Sequence, residues 1–251
     1  MRLAVIRPGE PEIFAALQGE GPCQGRPSIF VRLSQCNLHC VWCDTPYTWN
    51  FQPGRFDHRG DRPGAPNTFD RALETVEMSV EALAEQLMAQ PCRRLVLTGG
   101  EPLLQQRQLG ALCAGLKTDD PGWHIEVETN GTLWPKGDAR HAVDQFNVSP
   151  KLSHSGNPAA LAIRPAVLRR FAGVPGAIFK FVVAEPSDLA EIEQLMADCD
   201  LPAGRIWLMP EGVDSAALRA REEWIGPICQ AKGYKFSDRL HIHSHGDTRG
   251  T

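Results

Sequence analysis

The chain has 251 residues, 42% of them hydrophobic, which is enough to bury a substantial core, and α/β barrels of this length routinely form one domain. With 22% charged residues and a formal net charge of -4 it sets up no strong field, so direct nucleic acid and membrane partners are excluded and small polar ones are favoured. No stretch reaches the roughly 18 apolar residues of a membrane span, and the opening M-R-L-A-V-I-R-P-G-E lacks an apolar signal core, so the expectation is a cytoplasmic protein whose eight cysteines are mostly thiols.

Short β-branched or apolar runs alternate with segments of helical period, the pattern of βα units around a parallel sheet. In chain order, strands are expected at 28–33, 95–98, 124–128, 145–148, 177–183 and 205–209, most of them nearly continuous hydrophobic runs, as when both faces of a sheet are covered. Three cysteines follow the first strand, and after them the composition of 50–71 shifts to Gly, Pro, Asp and Arg with little periodicity, marking a long inserted loop. Ser79 reads as the N-cap of V-E-A-L-A-E-Q-L-M-A, and Ser187 precedes D-L-A-E-I-E-Q-L-M-A with acidic residues in its first turn. Further helices are expected over 103–117, 158–172 and 215–232. The last run, R-L-H-I-H-S-H, reads as a strand with His241, His243 and His245 on one face, and a polar tail follows it. Six such strands in one domain covering 1–251 make a partial (β/α)6 barrel of the α/β class, with no internal repeat.

The segment S-Q-C-N-L-H-C-V-W-C-D-T places Cys36, Cys40 and Cys43 at the carboxyl end of the first strand, where α/β barrels put their active sites. Thiolates also select zinc, but a closed structural zinc site needs a fourth ligand, and no second Cys-x-x-Cys occurs in the chain to supply a distant pair. His39 is the remaining local donor. A 4Fe-4S cluster ordinarily takes four cysteines, so three would leave one iron free for a ligand that is not protein. Cys23, Cys92, Cys113, Cys199 and Cys229 have no interpretable spacing and are expected to be buried thiols.

C-x-x-x-C-x-x-C with Trp42 before its last cysteine resembles the signature of the radical S-adenosylmethionine superfamily. The resemblance implies a barrel of the radical SAM type, a 4Fe-4S cluster, and S-adenosylmethionine chelated at the open iron and cleaved to a 5′-deoxyadenosyl radical. Thr98, Gly99, Gly100, Glu101 and Pro102 at the end of the second strand resemble the superfamily's G-G-E-P segment, which implies that Gly99, Gly100 and Glu101 meet the methionine end, with Glu101 accepting from its amine. By the same likeness Ser149, Pro150 and Lys151 after the fourth strand face the ribose or carboxylate, and Met209, Pro210, Glu211 and Gly212 close over the adenine. Taken alone, each of these segments is an ordinary glycine or proline turn.

Further segments resemble one family within it, the 7-carboxy-7-deazaguanine synthases, over nearly the whole chain. A-L-Q-G-E-G implies substrate contacts from Leu17, Gln18, Gly19 and Glu20; Arg32 in F-V-R-L matches an arginine that grips the substrate carboxylate, against the plain alternative of a surface ion pair. D-T-P-Y-T-W after the last cysteine implies a role for Asp44 with Trp42 beside the cofactor and for Thr45 as an oxygen ligand to magnesium. Thr98, His241 and Thr251 are assigned to substrate, with Asn130 a weaker candidate, and the tail is expected to dock at the active site. The implied reaction converts 6-carboxy-5,6,7,8-tetrahydropterin into 7-carboxy-7-deazaguanine with loss of ammonia, on the way to queuosine in transfer RNA. No side chain acts as an ordinary acid or base, the electron donor is a flavodoxin or ferredoxin, and the family implies a homodimer. Two rivals remain: a glycyl-radical activating enzyme, which shares the cysteine spacing, and a zinc-binding interaction module without catalysis.

Overall fold

Side-chain alternation inside each strand decides which of its residues reach the core and which are left for chemistry. The computed structural model describes residues 1–251. Three short strands, β1 (Arg2–Arg7), β2 (Glu10–Pro11) and β3 (Ile13–Leu17), precede β4 (Pro27–Leu33). Beyond the cysteine loop come α1 (Arg71–Glu74), β5 (Thr75–Glu77) and α2 (Val80–Met88), and then β6 (Arg94–Gly99), α3 (Gln106–Asp119), β7 (His124–Thr129), α4 (Asp138–His141) and β8 (Gln145–Val148). The pattern continues through α5 (Ala159–Ala162), α6 (Pro165–Ala172), β9 (Ala177–Val183), α7 (Asp188–Cys199), β10 (Ile206–Pro210), α8 (Ser215–Lys232), β11 (Lys235–Phe236) and α9 (Leu240–His245).

All strands join one sheet in the order β11-β10-β9-β8-β7-β6-β4-β1-β2, with β3 also on β4 and β5 on β1. From β4 through β6, β7, β8, β9 and β10 to β11 every pairing is parallel. These parallel strands include all six expected from sequence, and the row ends at β11 without closing, which makes a partial (β/α)6 barrel. β1, β2, β3 and β5 are antiparallel additions at the β4 end that sequence reading had not separated from loop.

Along β4, Ile29, Val31 and Leu33 enter the core while Phe30 and Arg32 face the barrel interior. The same period of two sends Ile125 and Val127 of β7 outward and leaves Glu126 and Glu128 inside; in β9, Phe179 and Phe181 pack under α6 and α7 while Lys180 points inward. The expectation of strands apolar on both faces is thereby corrected: the outer face is apolar and the lumen is charged. Each fully buried Leu or Phe on the outer face contributes about 1.5–3 kcal/mol, and the core formed with Leu83, Leu109, Phe171, Ile192 and Ile225 of the helices holds the lumen rigid.

Ser79 caps α2 by accepting from Ala82 N–H at 3.0 Å, as its sequence suggests. Ser187 precedes α7 without a side-chain cap, and it is Asp188 that accepts from Ala184 and Glu185 N–H. The helix expected over 158–172 is broken into α5 and α6, because Pro165 disfavours helical backbone at Arg164, which lies at φ -124° and ψ 83°. The terminal histidine run is a helix, α9, and not a strand. Its residues therefore fan around an axis, and His243 is held by Ser215 Oγ at 2.6 Å and Asp238 Oδ1 at 3.0 Å while His241 turns to the lumen, which disperses the three imidazoles.

Candidate active site

Gly100 N–H donates to Leu33 O at 3.0 Å and Glu101 N–H to Gln35 O at 2.8 Å, so the end of β6 carries the start of the cysteine loop. A Cβ on Gly99, which lies at φ +128°, would stand 2.0 Å from Leu33 O, and one on Gly100 would stand 2.1 Å from Gln35 O. The glycine pair is thus required by this chain crossing as well as by the cavity that both residues line. Glu101 behaves differently from expectation. Fully buried, it accepts from Leu103 N–H, Thr129 Oγ1 and Asn130 N–H at 2.7–2.9 Å and does not line the cavity, so it braces the ends of β6 and β7. Burial raises its pKa.

Burial first, then the charges of Glu101, Cys43 and Cys40, push the Cys36 thiol up against the lowering Leu38 N–H, and burial with Asp44 beside it takes Cys43 to about 11. Each sulfur receives an N–H: Leu38 N at 3.4 Å to Cys36, Asn157 Nδ2 at 3.2 Å to Cys40, and Trp49 Nε1 at 3.2 Å to Cys43. Three sulfurs carried on one short loop, each taking an N–H, fit a negatively charged iron–sulfur cluster. One zinc ion at roughly 2.3 Å from each thiolate needs its ligands within roughly 4 Å of one another. The trio gathered within 4.8 Å in this chain is Cys23, His124 and Glu126, at the opposite end of the barrel, and the Arg94 guanidinium already lies 2.7 Å from both Cys23 Sγ and Glu126 Oε1. Cys113, Cys199 and Cys229 are buried free thiols, and Cys92 is partly exposed.

Beside the cysteine loop the lumen opens as a cavity of ≈ 220 Å³. Leu17, Gln18, Gly19 and Glu20 from the end of β3 line it together with Arg32, Thr98, His241 and Thr251. So do Trp42, Asp44, Thr45, Ser149 and Lys151, and the run from Met209 to Gly212. Of the residues singled out from sequence, Pro150 lies outside it with Glu101, and Asn130 lines it. Lys151 Nζ lies 2.8 Å from Ser149 Oγ and 5.5 Å from the centre of the Trp42 ring. Gly19 has no room for a side chain, since a Cβ there would stand 2.2 Å from His241 Nδ1.

Apart from Lys151, the charged groups lining the lumen are paired, and four of the partners, Glu12, Glu128, Lys180 and Arg239, were not singled out from sequence. Arg32 Nε donates to Glu12 Oε1 at 2.7 Å, and Tyr47 Oη donates to the same carboxylate at 3.0 Å, which steers the rest of the guanidinium toward the cavity. Lys180 bridges Glu20 at 2.5 Å and Glu128 at 2.8 Å. Arg239 donates to Glu20, to Asp44 and to Gly212 O. Burial raises the Glu20 carboxyl, but Lys180, Arg239 and His241 outweigh it and hold it well below the usual range. Glu128 shares Lys180 with Glu20 and has no arginine of its own, so burial wins there and its pKa is raised. Burial likewise keeps His241 neutral by pulling its pKa below the usual value, with Arg239 assisting against Glu20. The signal for Lys180 was present in F-K-F: a charge inside an apolar strand, the argument that singled out Arg32.

A second cavity of ≈ 410 Å³ adjoins the first and shares Arg32, Trp42, Asp44, Thr45, Arg239 and His241 with it. The 50–71 loop forms one wall: Phe56 stacks on His39 at 3.6 Å, His58 Nε2 meets Cys43 O at 2.8 Å, and Arg59 pairs with Glu211 at 2.6 Å. The C-terminal tail forms the other, with the Arg249 guanidinium 3.4 Å from the centre of the Tyr47 ring.

Residues 31–151 match the Radical SAM superfamily. The 7-carboxy-7-deazaguanine synthase of Pyrobaculum aerophilum is 36% identical over 243 residues, covering 95% of each chain. That of Hyperthermus butylicus is 33% identical over 235 residues, covering 92% of this chain and 90% of its own. Among solved structures, QueE from Escherichia coli superposes with a TM-score of 0.63 at 25% identity over 96% of this chain and 95% of that one.

Proposed function

The chain belongs to the 7-carboxy-7-deazaguanine synthase family of radical SAM enzymes, and from that premise we propose that its lumen binds 6-carboxy-5,6,7,8-tetrahydropterin and releases 7-carboxy-7-deazaguanine and ammonia. The observation that carries this reading is the Arg32–Glu12–Tyr47 set in a charged cavity beside the three thiols, a place shaped for a small anionic substrate. Cys36, Cys40 and Cys43 hold the cluster, which with bound S-adenosylmethionine supplies the hydrogen-abstracting radical.

Everything else is positioning by this chain. Arg32, fixed through Nε, offers its free guanidinium nitrogens to the substrate carboxylate in a forked geometry. Gln18, Glu20, Glu128 and Lys180 present acceptors and a cation to the polar edge of the pterin, and His241 and Thr251 close over it. Thr45, which lines the cavity, would offer its hydroxyl oxygen to a magnesium ion, a hard cation that would supply positive charge to fix the substrate's pose. Trp42, Ser149, Lys151 and the 209–212 run face S-adenosylmethionine. Holding the two reactants in register is worth roughly 7–11 kcal/mol of the barrier. The 50–71 loop walls the second cavity, and the enzyme works in the cytoplasm as a homodimer that takes electrons from a flavodoxin- or ferredoxin-type protein, the homodimer being supported by family resemblance.

The test is anaerobic reconstitution with iron and sulfide, followed by turnover with the pterin, S-adenosylmethionine and reductant, read by mass spectrometry. The expected outcome is the deazaguanine product together with 5′-deoxyadenosine. Formation of 5′-deoxyadenosine with no deazaguanine product rejects the substrate.

A further inference from the structure

The three cluster sulfurs differ in what donates to them. Cys36 receives a backbone N–H from Leu38 at 3.4 Å, a donor that any residue except proline provides, and its side-chain donor, Asn130 Nδ2, stands off at 4.0 Å. Cys40 and Cys43 instead receive side-chain N–H groups from outside the cysteine loop, from Asn157 after β8 and from Trp49 at the base of the inserted loop, each at 3.2 Å.

Both donors are held in orientation. Asn157 Oδ1 accepts His39 N–H at 2.8 Å, which turns Nδ2 toward Cys40 Sγ, with Ser155 Oγ also at 3.2 Å. Trp49 is 7% exposed and wedged edge-on against His39, Phe56 and His58 at centroid distances of 5.1–6.3 Å. Its indole N–H can only donate, and Cys43 Sγ is the acceptor it meets.

We propose that Trp49 and Asn157 set the reduction potential of the cluster by donating hydrogen bonds to the sulfurs of Cys43 and Cys40. The proposal rests on the cluster assignment above. Reduction adds an electron whose charge spreads onto the thiolates, and a fixed N–H dipole binds the more negative sulfur more strongly, so each donor favours the reduced state. Asp44, the carboxylate next to Cys43, is itself paired with Arg239. Trp49 and Asn157 are therefore positioning residues that act through the sulfurs, without touching substrate.

Trp49→Phe keeps an aromatic ring in the wedge and removes the donor; Asn157→Ala removes the other. β-(3-Benzothienyl)alanine at position 49 preserves the bicyclic shape and replaces only the N–H, so it serves if the phenylalanine variant folds poorly. Iron and sulfide are assayed first, and the cluster is then titrated by electron paramagnetic resonance against poised mediators. The expected result is a full cluster with a more negative midpoint in each single variant and a further shift in the double, seen as a several-fold smaller reduced fraction at a fixed potential. Fully loaded variants with the wild-type midpoint, or a more positive one, overturn the proposal, since a purely packing role would leave the potential unmoved. Wild-type protein that takes up no iron overturns the cluster assignment itself.

Discussion

Arg239 shows how much of the site depends on one side chain. It is 7% exposed and bonds Glu20, Asp44 and the Gly212 carbonyl, so Arg239→Met leaves the half-buried Glu20, still held by Lys180, and the exposed Asp44 without their arginine. Removing one member of a fully buried ion pair costs about 3–5 kcal/mol, and with Lys180 still on Glu20 and Asp44 in reach of water, urea denaturation of the variant is expected to show a smaller loss together with weakened pterin binding. Arg32 was legible in sequence because an arginine in F-V-R-L needs a polar partner, whereas Glu12 and Arg239 were not, since each lies in a segment with no strand or helix period to say which way it faces. His241 gives the pH dependence its sign. Its folded pKa lies below the ordinary 6.5, so its neutral form contributes stability that is present above pH 6.5 and is lost as pH falls through the depressed folded value. Glu20, depressed from 4.5, follows the same rule at lower pH. Thermal melts are expected to show wild type losing more stability than His241→Asn as the pH is lowered from about 7.5 to 5.5; parallel losses in the two proteins would remove His241 from the account.

At the scale of elements, the docking of β4 and β6 decides whether the cysteine loop forms. Their register pairs Leu33 with Gly99, and the glycine pair lets the loop backbone pass at a distance no Cβ tolerates. Gly100→Ala is accordingly expected to lower iron and sulfide content per chain after reconstitution, because Gln35 O must move and Cys36 follows it. Gly115→Ala is the matched control. It lies exposed in α3 with nothing within 4 Å of a new Cβ, and there alanine is expected to raise stability by about 1 kcal/mol with iron content unchanged. The parallel strands were legible because they are runs of core residues flanked by helical period. The antiparallel β1, β2, β3 and β5 were not, being short, mixed in polarity and defined by partners distant in sequence. The histidine run failed for a related reason: alternation over five residues looks the same on a strand and on a single helical turn, and tertiary contacts such as Leu240 N–H to Gly19 O at 3.0 Å chose the helix.

The molecule as a whole has to close a barrel that its sheet leaves open. β11 is only two residues long and ends the parallel row, so other parts of the chain must keep water from the lumen. The tail does this by crossing back to the first strand. Arg249 Nη1 donates to Val5 O at 2.8 Å and Glu74 Oε2 at 2.9 Å while its guanidinium lies over Tyr47, the residue that also holds Glu12 and through it Arg32. Gly250 fits because a Cβ there would stand 2.3 Å from Ile6 Cδ1, and Thr251 then reaches both cavities. One arginine thus ties closure of the site to the orientation of Arg32, the residue proposed to grip the substrate. Arg249→Ala is expected to leave the cluster spectrum as in wild type, since Arg249 bonds Val5 O and Glu74 and no cysteine, but to raise KM for the pterin about tenfold, the scale of losing roughly 1.4 kcal/mol of positioning. It should also raise the ratio of 5′-deoxyadenosine to deazaguanine, because a radical formed in an unsealed cavity is quenched before it reaches substrate; an unchanged ratio with an unchanged KM would mean that the tail is only a surface strap.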